Sequence, residues 1–140
     1  MAFRFSSRSI NNLIGVHPYL VDLMHAALAK VPYDFIVTEG LRSYKRQAQL
    51  KREGKSQTLN SYHLRQEDGY GHAVDIAIIP PEGGVTWQIS YYLANADVIL
   101  ALAKERDLTI RWGGDFGNKG HGRGWDCPHF ELHGRYLPIS

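Results

Sequence analysis

The chain has a single cysteine, Cys127, in 140 residues, so no internal disulfide can form. This fits a reducing compartment and leaves metal coordination, rather than cross-linking, as the source of extra stability. No apolar run approaches the roughly 18 residues of a spanning helix, so no stable membrane insertion is expected. The opening Met-Ala-Phe-Arg-Phe-Ser-Ser-Arg-Ser lacks the apolar core of a secretory signal, and a soluble protein made in a cytoplasm is expected. Charge of one sign is also missing. The 16 Lys and Arg residues against 14 Asp and Glu leave +2, a balance that suits an anionic substrate but lacks the clustered basic face nucleic acid requires. Repeats and low-complexity tracts are absent too. What remains, 44% hydrophobic and 21% charged, suffices for one domain over residues 1–140 with one core, which must carry any site itself.

Periodicity places the elements. Leu20, Leu23, Met24, Ala27, Leu28 and Val31 recur at helical spacing after Pro18, which a first helical turn tolerates. Phe35 to Thr38 reads as a short strand, and Ser43 to Glu53 as a helix capped by Ser43 and stopped at Gly54. A polar loop runs from Lys55 to Tyr70. Ala73 to Ile79 is a nearly continuous β-type run ended by Pro80-Pro81. Ile89, Tyr92, Leu93, Ala96, Ile99, Leu100 and Ala103 mark a long amphipathic helix, followed by a strand at Leu108 to Trp112, a glycine-rich stretch and a last strand at His129 to Leu132. The expected class is α+β: one domain with a small central antiparallel-type sheet, helices packed on it, and an open groove.

Three segments carry the chemistry: Ser61-Tyr62-His63, Gly71-His72-Ala73-Val74-Asp75 and Asp126-Cys127-Pro128-His129-Phe130-Glu131-Leu132. Two neutral imidazoles and one carboxylate hold Zn²⁺ with a position left open for water, whose pKa the metal lowers to roughly 7. Asp126 is then free to act as base. Strand alternation puts Asp75 on a face with Ala73 and Ala77, while Val74, Ile76 and Ile78 point to the core. His129 and Glu131 share one face of the last strand, so His129 can meet Asp75 across neighbouring strands. His72 stands an odd number of residues from Asp75, on the opposite face, so His63 is the better second imidazole. Cys127 could offer a thiolate, but Pro128 disturbs the alternation there. Trp87, Trp112 and Trp125 are expected in the core or on the groove wall.

The combined pattern S-x-H, G-x-A-x-D and D-x-P-H-F-E resembles the zinc peptidases of peptidoglycan that include the VanX and VanY type D-Ala-D-Ala peptidases and the phage L-alanyl-D-glutamate endolysins. Upstream, Glu39-Gly40-Leu41-Arg42-Ser43 with Gln47 resembles the family's G-x-R-S-x-x-x-Q segment, and Arg111-Trp112-Gly113-Gly114-Asp115-Phe116 its W-G-G-D-W stretch. The interval between His63 and Asp75 is longer than usual, with Gln66 to Tyr70 reading as an insertion. The resemblance implies a hedgehog/D-Ala-D-Ala peptidase-like fold, His63, Asp75 and His129 as zinc ligands, Asp126 as general base and Arg42 as stabiliser of the oxyanion. It also implies a monomer that lyses cells by cutting the L-Ala-D-Glu bond of peptidoglycan, reaching the wall from the host cytoplasm through a pore-forming lysis partner. The alternatives are a D-Ala-D-Ala carboxypeptidase of the same family and a non-catalytic zinc module that binds cell wall. Arg65, Arg111 and Arg123 are candidates for holding the stem-peptide carboxylates.

Overall fold

Four strands, β1 (Asp34–Glu39), β2 (Ala73–Ile79), β3 (Thr109–Trp112) and β4 (His129–His133), pair antiparallel in the order β1-β2-β4-β3. They belong to a computed structural model that describes residues 3–56 and 60–134. The helices are α1 (Ser7–Asn12), α2 (Pro18–Leu28), α3 (Tyr44–Arg52) and α4 (Ile89–Glu105), and a kinked 3₁₀ segment covers Gly113–Asn118. Among the described residues no helix is long and apolar enough to cross a membrane.

The sheet is two-faced because its strands alternate. Phe35, Val37, Val74, Ile76, Ile78, Phe130 and Leu132 form one face and are buried against Leu20, Leu23 and Met24 of α2 and Tyr92, Ala96 and Ile99 of α4. The other face carries Asp75 and His129 as direct cross-strand partners, and Arg111 opposite Glu131 one row along. The core therefore fixes, through strand parity, which polar side chains meet on the open side.

Most expected boundaries agree with the structure to within a few residues. The strand Ala73–Ile79 coincides, and the Ser43 hydroxyl accepts from the Arg46 amide at 3.0 Å to start α3. Gly54 follows the end of α3 with a φ of +74°. Residues 57–59 of the expected polar loop, and residues 1 and 2 of the opening, lie outside the described residues. Trp112 is fully buried and Trp125 lines the groove, whereas Trp87 does neither: it is exposed and stacks on Tyr92 at 6.1 Å.

Helix α1 has no counterpart in the sequence reading, since six mostly polar residues are too few to show a period. Its function is to cover the sheet edge. The Ser9 hydroxyl accepts from the Val37 amide at 2.9 Å, and Asn12 Nδ2 donates to the Val37 carbonyl at 2.9 Å. Those bonds satisfy an edge strand that would otherwise be open to pairing. The register shifts between Val37 and Glu39, a bulge that brings Glu39 opposite Asp75. Gly40 follows because a Cβ there would lie 2.0 Å from the Asn12 carbonyl oxygen.

The insertion folds as a tight turn, with the Gln66 amide donating to the Tyr70 carbonyl at 2.8 Å. Asp68 anchors it: one carboxylate oxygen accepts from the Tyr70 amide at 3.0 Å, and the other lies 2.6 Å from His72 Nε2 and 3.7 Å from His17 Nε2. Burial opposes the Asp68 charge, but the Tyr70 amide and His72 outweigh it and hold its pKa below the ordinary value. A folded-state pKa below the unfolded value of about 3.9 adds stability above that pH and loses it as pH falls through the lower folded value. Asp68→Asn is therefore expected to lower stability by about 1–2 kcal/mol near neutral pH. Urea denaturation should show the gap closing in strong acid; a gap that persists unchanged there contradicts the assignment.

Candidate active site

Asp75 from the middle of β2, His129 from the start of β4 and His63 from the preceding loop bring one ligand atom each within 4.8 Å of one another. His63 Nε2 lies 3.1 Å, and His129 Nδ1 2.9 Å, from the same oxygen, Asp75 Oδ1. The far nitrogen of each ring determines what those contacts mean. His63 Nδ1 donates to the Gly40 carbonyl at 2.8 Å, and because a carbonyl only accepts, a neutral His63 presents the Nε2 lone pair to Asp75. His129 Nε2 lies 2.7 Å from Glu131 Oε1, so this ring has a carboxylate at each nitrogen and, when neutral, a hydrogen for only one of them.

Neutral rings thus leave acceptors facing acceptors in a buried place. Extra protons or a cation must resolve the arrangement. With protons alone, burial works against a charged His129, yet the bonds to Asp75 and Glu131 raise its pKa to about 10. Asp75 is held far below the ordinary carboxylate range, its burial outweighed by His129 and His63. Two nitrogens and one oxygen converging in this way, each ring braced from behind, form a donor set that suits a divalent zinc-type ion. The residues present fit such a metal.

Two further elements frame this group. Arg42, directly after the β1 turn, is gripped on three sides: Nε and Nη2 donate to Glu39 at 2.5 and 2.7 Å, and Nη1 donates to Gln47 Oε1 at 2.7 Å. Its guanidinium is nearly buried and oriented, with two N–H groups left over. Asp126 sits on a loop fixed at several points. Its amide donates to the Gly113 carbonyl at 3.2 Å, its carbonyl accepts from the His129 amide at 3.0 Å, and Trp112 Nε1 donates to the Cys127 carbonyl at 2.7 Å. A Cβ on Gly113 would stand 1.9 Å from the Asp126 carbonyl oxygen, so this approach requires glycine. Burial, then the Asp75 charge, raise the Asp126 pKa, while His129, His63 and Arg42 draw it back. A carboxylate raised in this way is a better proton acceptor.

Glu39, Gln47 and Glu131 were named in the sequence motifs without a role. Glu131 bridges His129 and His133, and Tyr62 closes the chain with its hydroxyl 3.4 Å from His133 Nδ1. The signal for Glu131 was available in its i,i+2 relation to His129; grips such as Glu39 and Gln47 on Arg42 need the turn geometry. His72 turns away to Asp68 and the Leu132 carbonyl, and the Cys127 sulfur is not part of the ligand group.

These residues open into a cleft of about 910 Å³ whose walls include Lys55, Tyr62, Arg111, Phe116 and Trp125. Of the three candidate arginines, Arg111 lines this cleft. Arg65 lines a smaller pocket beside it with Leu41, Ser43 and Tyr44, and the Arg123 side chain lies against Gly120. His121 bridges Asp97 and Asp115 at 2.7 Å each, away from the ligand group.

Comparison with known proteins gives the family. The model of the phage L-alanyl-D-glutamate peptidase family matches residues 1–133. The chain is 30% identical over 132 residues to the peptidoglycan L-alanyl-D-glutamate endopeptidase CwlK of Bacillus subtilis (strain 168), covering 84% of this chain and 73% of that protein. It is 28% identical over 124 residues to the L-alanyl-D-glutamate peptidase of Escherichia phage T5, covering 86% of each. The crystal structure of the Serratia marcescens L-Ala D-Glu endopeptidase ChiX superposes with a TM-score of 0.78 at 40% identity, covering 94% of this chain and 91% of that one. With a family match across nearly its whole length and the motif residues gathered in one cleft, the chain belongs to the phage L-alanyl-D-glutamate peptidase family.

Proposed function

We propose that this chain is a zinc endopeptidase of the endolysin type that hydrolyses the L-Ala-D-Glu bond of peptidoglycan stem peptides. The observation that carries the reading is the buried meeting of His63, Asp75 and His129 beside a carboxylate and an oriented guanidinium, Asp126 and Arg42. The bond assignment rests on the family and on the activity for which the relatives are named.

His63, Asp75 and His129 would hold the zinc. When bound, it supplies Lewis-acid polarisation of the scissile carbonyl and makes water acidic enough to ionise near neutral pH. Asp126 accepts the proton of the attacking water and returns it to the leaving amine nitrogen. Arg42, held flat by Glu39 and Gln47, directs its remaining N–H groups at the developing oxyanion. Glu131 keeps the His129 ring in one orientation. His63, Asp75, His129, Asp126 and Arg42 all come from one chain, which suits action as a monomer, and reaching the wall from the host cytoplasm calls for a pore-forming lysis partner.

Purified peptidoglycan digested with the protein should gain free amino groups on D-Glu and keep L-Ala on the glycan lactyl group. Free D-Ala as the sole product would replace this reading with the carboxypeptidase one.

Single variants separate ligands from catalytic groups. His63→Ala should lose zinc by elemental analysis, whereas His72→Ala should retain it. Asp126→Ala should keep zinc and lose wall-lysing rate by at least ~10²- to 10⁴-fold, and Arg42→Ala by about 10²-fold or more. Turbidity clearing near the wild-type rate by either of the last two would contradict the assigned roles.

A further inference from the structure

Among the described residues three Lys or Arg side chains line the cleft, and two are committed. Arg42 is bound by Glu39 and Gln47, and Lys55 Nζ lies 3.4 Å from Glu53 on the exposed rim. Arg111 differs. Among the described residues no carboxylate lies within ion-pair distance of its guanidinium, which sits 4.8 Å above the centre of the Phe116 ring. Phe116 in turn packs 5.8 Å from the His129 ring and 5.5 Å from Trp125, the neighbour of Asp126. Arg111 pairs across the strands with Glu131, so it stands on the same sheet face as the ligand group. Stacking on the ring holds the guanidinium in place and leaves its N–H fork unpaired.

The proposed substrate supplies a partner for that fork. In an L-Ala-D-Glu bond the scissile nitrogen is attached to the glutamate α-carbon, and the stem continues through the side-chain carboxyl. The α-carboxyl is then free and two bonds from the nitrogen that Asp126 must protonate. Productive binding places it in a cleft that already contains Glu39, Asp75, Asp126 and Glu131. A carboxylate brought there is repelled and partly desolvated unless a cation receives it. We infer that Arg111 receives the α-carboxylate of the glutamate through its free fork and makes the enzyme selective for stems in which that carboxyl is not amidated. A carboxamide carries no charge and cannot accept two parallel N–H bonds on two oxygens, so it forfeits the pair.

This inference rests on the bond assignment above, and its test separates the two. N-acetyl-L-Ala-γ-D-Glu-L-Lys and its α-carboxamide counterpart are compared by kcat/KM for the wild type, Arg111→Gln and Arg111→Lys. The wild type should prefer the acid by about 10- to 100-fold, the range of a charge-assisted pair. Arg111→Gln should bring the acid-to-amide ratio close to one, and Arg111→Lys, which keeps charge without the fork, should fall between. A merely structural role for Arg111 would slow both peptides and leave the ratio alone. A wild-type ratio near one, or an unchanged ratio in Arg111→Gln, overturns the inference. If the wild type cuts neither peptide after L-Ala but releases D-Ala from a pentapeptide stem, the bond assignment fails and the inference with it.

Discussion

Two imidazoles and a carboxylate that point acceptor atoms at one another are the constraint around which the rest of this fold is arranged. Left as neutral rings, His63 would set its lone pair against Asp75 at 3.1 Å, and His129 would set one against either Asp75 at 2.9 Å or Glu131 at 2.7 Å. The arrangement persists because each ring is held from behind, His63 by the Gly40 carbonyl and His129 by Glu131. Gly40 is in turn placed by its close approach to Asn12 and by the bulge in β1, and Glu131 by strand pairing with Ala73. The sheet register is thus a device for convergence, and a bound cation would turn its electrostatic cost into stability.

Among the described residues four carboxylates line the cleft, and their neighbours set them apart. Glu39 neutralises and orients Arg42. Asp75 faces the two imidazoles and is held ionised by them. Glu131 is shared between His129 and His133. Asp126 alone combines burial with the repulsion of Asp75 and, among the described residues, has no hydrogen-bond donor on its carboxylate. Of the four it is the one whose surroundings raise its proton affinity. Chemically similar side chains acquire different functions from their immediate partners.

What could be read in advance followed from period and parity. The period-2 run from Ala73 to Ile79 placed Asp75 opposite the core face, and the odd spacing to His72 pointed to His63; the structure gathers Asp75 with His63 and His129, while His72 turns to Asp68. Ser43 and Gly54 marked both ends of α3, since capping is local chemistry. Helix α1 escaped because its stabilisation comes from the distant β1 edge through Ser9 and Asn12, not from a periodic apolar stripe. Trp87 was misplaced because aromaticity alone does not distinguish a core position from an exposed stack on Tyr92. The grips of Glu39 and Gln47 on Arg42 and of Asp68 on Tyr70 and His72 join residues only two to five apart, but they depend on irregular turn geometry that helix or strand periodicity does not encode.

The central claim is that the meeting point of His63, Asp75 and His129 is a metal centre. Anomalous diffraction at the zinc absorption edge, from crystals of protein grown with zinc, tests it most directly. The account predicts one strong peak between His63 Nε2, Asp75 Oδ1 and His129 Nδ1. A peak instead beside His17, Asp68 and His72, or none at the three-residue site at full zinc loading, would contradict it.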